Sequence, residues 1–141
     1  MSPYHTINPE SLGAPKGWTN GLLAPAGGRV LFVAGQTARD ASGKVPRLGF
    51  VEQWTRALEN ILVVVREAGG GPAEIGRMTV YVTDLAAYHA NLKPLGIAYR
   101  KLMGLHFPAM ALVEVKGLVD ENAVVEIEAT AVISGERGNQ D

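Results

Sequence analysis

Between Phe50 and Ala68 apolar residues recur at three- and four-residue steps: Val51, Trp54, Ala57/Leu58, Ile61/Leu62 and Val65. A single wide stripe of this kind predicts a helix with one buried face. Gly69-Gly70-Gly71 ends it, because glycine adopts the left-handed cap conformation freely, and Pro72 prevents continuation. Elsewhere the period drops to two. From Arg77 to Leu85, Met78, Val80 and Val82 alternate with Thr79, Tyr81 and Thr83, which predicts a strand with one buried and one more polar face. In AVVEIEATAVI, Val125, Ile127, Ala129 and Ala131 share the face expected to meet the helices, and Val124, Glu126, Glu128 and Thr130 share the other. HFPAMALVEV (His106 to Val115) reads as a proline turn and a strand, with Met110, Leu112 and Glu114 on one side and Ala111, Val113 and Val115 on the other. NGLLA and RVLFVAGQ, linked by PAGG, read as two strands joined by a turn. Pro94 interrupts a second helical region. The pattern there predicts a short turn near Tyr88–Leu92, then a helix with Pro94 in its first turn, running to about Met103.

The resulting order, ββ-α-β-α-ββ, predicts an α+β domain with both helices on one sheet face. The opposite face mixes Thr, Tyr and Glu with aliphatics. Glu126 and Glu128 fall there, on a strand expected to be central, and buried carboxylates are costly unless paired or hydrated. A covering second subunit explains that face most economically. Residues 1–134 are expected to form one domain, and the polar, glycine-rich tail at 135–141, GERGNQD, to fray.

Composition narrows the chemistry. The 141-residue chain is 47% apolar and 19% charged, as a single globular domain should be. A formal net charge of -1, with no basic run beyond Arg100-Lys101, argues against a nucleic-acid partner. With no cysteine there is no disulfide, thiol nucleophile or thiolate metal site. The start MSPYHTINPE lacks the basic and apolar regions of a signal peptide, and no apolar run reaches ~18 residues. The expectation is a soluble cytoplasmic protein with no membrane association. His89 and His106 are isolated, no spacing matches a metal site, and Ser11, Ser42 and Ser134 lack a paired base, so neither metal nor cofactor is expected. AGGGP follows a helix, which makes it a cap and not a phosphate loop.

Gly17-Trp18, Gly35-Gln36, REAGGG, TVYVTDL, FPAMALVEV and VEIEATAV together resemble the reactive intermediate deaminase (Rid, or YjgF) family, over roughly Ala14 to Ile133. The resemblance implies a chorismate-mutase-like subunit assembled as a homotrimer, with three small-molecule clefts between neighbouring subunits. In the deaminating members the tripeptide matching Pro108-Ala109-Met110 reads Pro-Ala-Arg, and its arginine grips the carboxylate of an enamine or imine made from an amino acid. Met110 cannot form that ion pair, since a thioether offers a soft apolar surface in place of a fork of donors. Leu112, at a position often small or thiol-bearing, makes the cleft more apolar still. Glu126 aligns with the acidic residue thought to handle the attacking water, Trp18 with an aromatic covering the ligand, and Gly35 with a backbone position lining the cleft. HANLKPLG carries over no functional residue.

Two functions follow from the resemblance. One is hydrolysis of a reactive enamine or imine to a carbonyl compound and ammonia, catalysed by Glu126, with a substrate larger or less anionic than 2-aminoacrylate. The other is a non-catalytic ligand-binding trimer acting as sensor, chaperone or regulator. Some members were described as ribonucleases, which the near-neutral charge supports little. Each site residue also has a structural alternative: an inter-subunit hydrogen bond or ion pair for Glu126, packing for Met110, an interface anchor for Trp18. Arg39 and Arg47, after Gln36, are the candidates for a substitute cation.

Overall fold

The computed structural model describes residues 2–134; the expected tail at 135–141 lies outside the described residues. In chain order the elements are β1 (His5–Ile7), β2 (Gly21–Leu23), β3 (Arg29–Gln36), α1 (Phe50–Glu67), β4 (Ile75–Val82), α2 (Leu85–Ala90), α3 (Leu92–Met103), β5 (Ala109–Glu114) and β6 (Val125–Ile133). The four longer strands form a mixed sheet in the order β3-β6-β4-β5. β6 is therefore internal, as its sequence suggested. It runs antiparallel to β3 and β4, while β4 and β5 are parallel, the crossover between them being made by α2 and α3.

NGLLA and RVLFVAGQ do contain strands, β2 and β3, joined by a turn, but the two do not pair with each other. β2 pairs with β1, whose three exposed residues carried no sequence signal, in a separate two-stranded sheet. PAGG reverses the chain but does not choose the partner. At its end a Cβ on Gly28 would lie 2.3 Å from Val132 Cγ1, so the backbone there approaches β6 directly and β3 ladders onto it from Arg29↔Ile133 onward. The expected turn at Tyr88–Leu92 is instead the end of one helix and the start of another. Asp84 Oδ1 accepts from Ala86 N at 3.0 Å and Glu114 Oε1 accepts from Leu85 N at 2.8 Å, satisfying two of the free amides at the start of α2. Pro94 sits in the first turn of α3, where its missing amide costs nothing.

The glycine cap of α1 forms as expected. Gly69 has φ +94°, its N–H bonds to Arg66 O and that of Gly70 to Val65 O, closing a Schellman turn. The α1 stripe from Trp54 to Val65 packs on Val80, Ile127 and Ala131 of the sheet. One buried polar residue lies among these apolar side chains. Gln53, 1% exposed, donates through Nε2 to Leu48 O (3.0 Å) and Asn122 O (2.9 Å), and accepts from Val124 N (2.9 Å) through Oε1. It ties the loop before α1 to the residue preceding β6.

The other sheet face has no layer over it among the described residues. Phe32 is 80% exposed and Val30 55%, next to the half-buried Thr79, Tyr81, Glu126, Glu128 and Thr130. Among the described residues no helix is long and apolar enough to cross a membrane.

Candidate functional site

The residues singled out in the sequence fall into two groups on opposite faces of the sheet. In the β4–β5 ladder Met78 faces Met110 and Val80 faces Leu112, so Met110 and Leu112 point to the helix side. β5 is an edge strand, and beyond it the helix side opens into a cleft of about 480 Å³, a size suited to a small organic molecule. Met110, Leu112 and Trp18 all line it. Gly17, at φ +70°, turns the chain just before Trp18, a conformation that favours glycine.

The cleft floor is aromatic. Tyr99 of α3 stacks on Phe107, with ring centroids 5.5 Å apart and planes at 4°, and lies 6.2 Å from Trp54. Its hydroxyl donates to His106 O, and burial raises its pKa well above the usual 10.0. His106, isolated in sequence, has Nε2 2.7 Å from Ile75 O; that nitrogen therefore carries the proton, and the ring joins loop to strand. At the rim are Arg100, one turn after Gly96, and Lys16. Neither Arg39 nor Arg47 lines this cleft.

Gly35 and Glu126 meet on the opposite, uncovered face. A Cβ on Gly35 would stand 2.3 Å from Glu126 Oε2, so glycine leaves the room that this carboxylate occupies. The β3–β6 ladder shifts register between Val33 and Gln36, which displaces Gly35 from regular pairing. Glu126 makes no side-chain hydrogen bond or ion pair among the described residues. Glu128, two residues on, is already engaged: Tyr81 donates to its Oε2 at 2.6 Å. That hydrogen bond is the main reason the Tyr81 pKa is raised, followed by burial and then by the charges of Glu128 and Glu126. One carboxylate of the pair is thus held by a hydrogen bond, and the other is without a partner among the described residues. Among the described residues no group of three or more His, Asp or Glu side chains is placed to hold a metal ion.

Sequence reasoning missed Arg100, Lys16 and the Tyr99 floor. Arg100 follows Tyr99 in a helix of ordinary composition, and only the docking of α3 against α1 brings it to the cleft.

The model of the family described as Endoribonuclease L-PSP matches residues 13–133. A RutC family protein of Pyrococcus abyssi is 32% identical over 105 residues, covering 74% of this chain and 79% of its own. A 2-iminobutanoate/2-iminopropanoate deaminase of Capra hircus is 32% identical over 105 residues, covering 74% and 73%. Among solved structures, the Rid-family protein YyfB of Yersinia pestis, of unknown function, superposes with a TM-score of 0.80 at 30% identity, covering 93% of this chain and 99% of its own.

Proposed function

The chain belongs to the Rid/YjgF family, and from that premise we propose that it hydrolyses a reactive imine, formed directly or from its enamine, to a carbonyl compound and ammonia. The observation that carries this reading is the unpaired Glu126 carboxylate over Gly35 on an otherwise uncovered sheet face. The likeness to deaminases of 2-iminobutanoate and 2-iminopropanoate supports the reaction class.

A single copy holds only half of such a site, since Glu126 and Met110 lie on opposite faces of one sheet. In a homotrimer, the uncovered face of one copy lies against the cleft of the next. Glu126 of one copy then faces Met110, Leu112 and Trp18 of another, and the exposed Phe32 and Val30 leave solvent. An enamine first tautomerises to its imine by taking a proton on carbon. Water adds to the imine carbon, with Glu126 taking one proton from the water as the C–O bond forms and returning it to nitrogen. The carbinolamine then breaks its C–N bond as its hydroxyl proton passes through Glu126 to nitrogen, releasing ammonia and leaving the carbonyl. General acid–base action of this kind contributes about 10²–10⁴-fold. Met110 and Leu112 recognise apolar surface, so the substrate depends less on a carboxylate gripped at position 110 than 2-aminoacrylate does.

The test is Glu126→Gln. It keeps shape and hydrogen bonding but cannot cycle a proton near neutrality, so ammonia release should fall by about 10²–10⁴-fold with the assembly intact. Near-wild-type turnover would return Glu126 to a structural role. Failure of the wild-type protein to turn over any imine would leave the ligand-binding trimer.

A further inference from the structure

We infer that the cleft beside Met110 binds the acid group of its ligand through Arg100, assisted by Lys16, with a flat apolar body seated on the Tyr99–Trp54 floor: the ligand is a bulky, aromatic carboxylic acid. The inference rests on the proposed use of this cleft as a substrate site, and it deepens that reading by naming the substrate class.

The first support is charge. The cleft lining includes two cationic side chains and no carboxylate. The nearest acid on β5, Glu114, is turned away to the start of α2, where it accepts from Leu85 N at 2.8 Å. Neither Arg100 nor Lys16 forms an ion pair among the described residues, so both charges are uncommitted. An anion entering the cleft of one copy meets two attractive groups and no repulsive one; in the assembly proposed above, the carboxylate brought to it is Glu126 of the neighbouring copy, facing Met110, Leu112 and Trp18.

The second support is shape. Gly96 precedes Arg100 by four residues, so the two share one face of α3, and helical side chains lean toward the N-terminal turn. A Cβ at Gly96 would meet nothing within 4 Å, leaving the ground beneath the Arg100 stem open. An arginine here offers a planar fork to a carboxylate at the rim, from α3 and not from position 110 on β5. A small acid such as 2-aminoacrylate cannot fill a cleft of about 480 Å³. A larger one can, with its ring on Tyr99 and Trp54 and its apolar edge on Met110 and Leu112.

Both tryptophans of the chain, Trp18 and Trp54, line this cleft, so tryptophan fluorescence reports on it directly. The full-length protein is titrated with 3-phenylpropanoate, with its neutral counterpart 3-phenylpropanamide, and with propanoate. The aromatic acid should bind about tenfold more tightly than either, and added salt should erode its preference over the amide. Arg100→Gln should remove most of that preference while leaving the amide unchanged. Arg100→Lys should keep most of it, and Lys16→Gln should cost a smaller factor of about threefold. Arg100 is an exposed helix residue, so these variants fold. Equal binding of acid and amide, no binding of either, or an acid preference that survives Arg100→Gln would overturn the inference. The titrations need no turnover, so the two readings fail separately. Absence of deamination with an intact, Arg100-dependent acid preference sinks the deaminase alone; deamination without that preference sinks this inference alone.

Discussion

Replacing Gln53 with methionine tests how the fold holds β6, and with it Glu126, in place. Methionine nearly conserves volume and fits the apolar surroundings, so the perturbation is the loss of polar partners and not a cavity. Three hydrogen bonds disappear, stranding the carbonyls of Leu48 and Asn122 and the amide of Val124. A buried group left without a partner costs about 1–3 kcal/mol. Asn122 is exposed and Leu48 half-buried, so water reaches the two carbonyls, and the sum falls near the low end, at ~3 kcal/mol. Against a total stability of ~5–15 kcal/mol that is a large fraction. Urea unfolding at one fixed protein concentration, needed because assembly adds to apparent stability, should show the midpoint lowered by about 1–3 M. Amide exchange at Val124 should quicken, and imine turnover should fall because β6 begins one residue later. A loss below ~1 kcal/mol would refute the reasoning, by showing that water replaces all three bonds without cost.

Three further outcomes follow from the same geometry. Met110→Arg should raise clearance of 2-aminoacrylate by up to about one to two orders of magnitude, measured as ammonia release, but only in part, since Leu112 narrows the cleft and Arg100 and Lys16 add like charge; efficient clearance by the wild-type protein would contradict this. Phe32→Asp should shift light scattering from trimer toward monomer, as it puts a charge on the exposed apolar face proposed to meet a second copy; an unchanged trimer would place the contact elsewhere. The folded state raises the pKa of Tyr99 and of Tyr4 chiefly by burial, and of Tyr81 chiefly through its bond to Glu128. It therefore holds these protons more tightly than the unfolded chain, whose tyrosines titrate near 10.0. Their contribution is complete below that pH and is lost as pH rises through the folded values, so urea midpoints should fall steadily above about pH 10; a flat profile there would contradict the assignment.

Features that depend on near neighbours along the chain could be read from the residues alone. The helix from Phe50 with its glycine cap, the alternation in β4 and β6, the face shared by Glu126 and Glu128, and the place of Pro94 in its helix were all legible, because periodicity and backbone preference act over a few residues. Pairing and proximity were fixed only by folding. β2 joined β1 because a turn composition specifies reversal without specifying a partner, and three short, exposed residues leave no periodic trace. Gln53 looked like one polar residue beside an apolar stripe until Leu48, Asn122 and Val124 closed around it. Above all, alternation assigns Met110 and Glu126 to faces of their own strands but cannot relate one strand's faces to another's. That relation comes from the ladders, which set Met110 beside Met78 and Glu126 beside Tyr81, on opposite sides of one sheet. The same packing brought Arg100 to the cleft rim, because a helix face acquires its neighbours only when the helix docks.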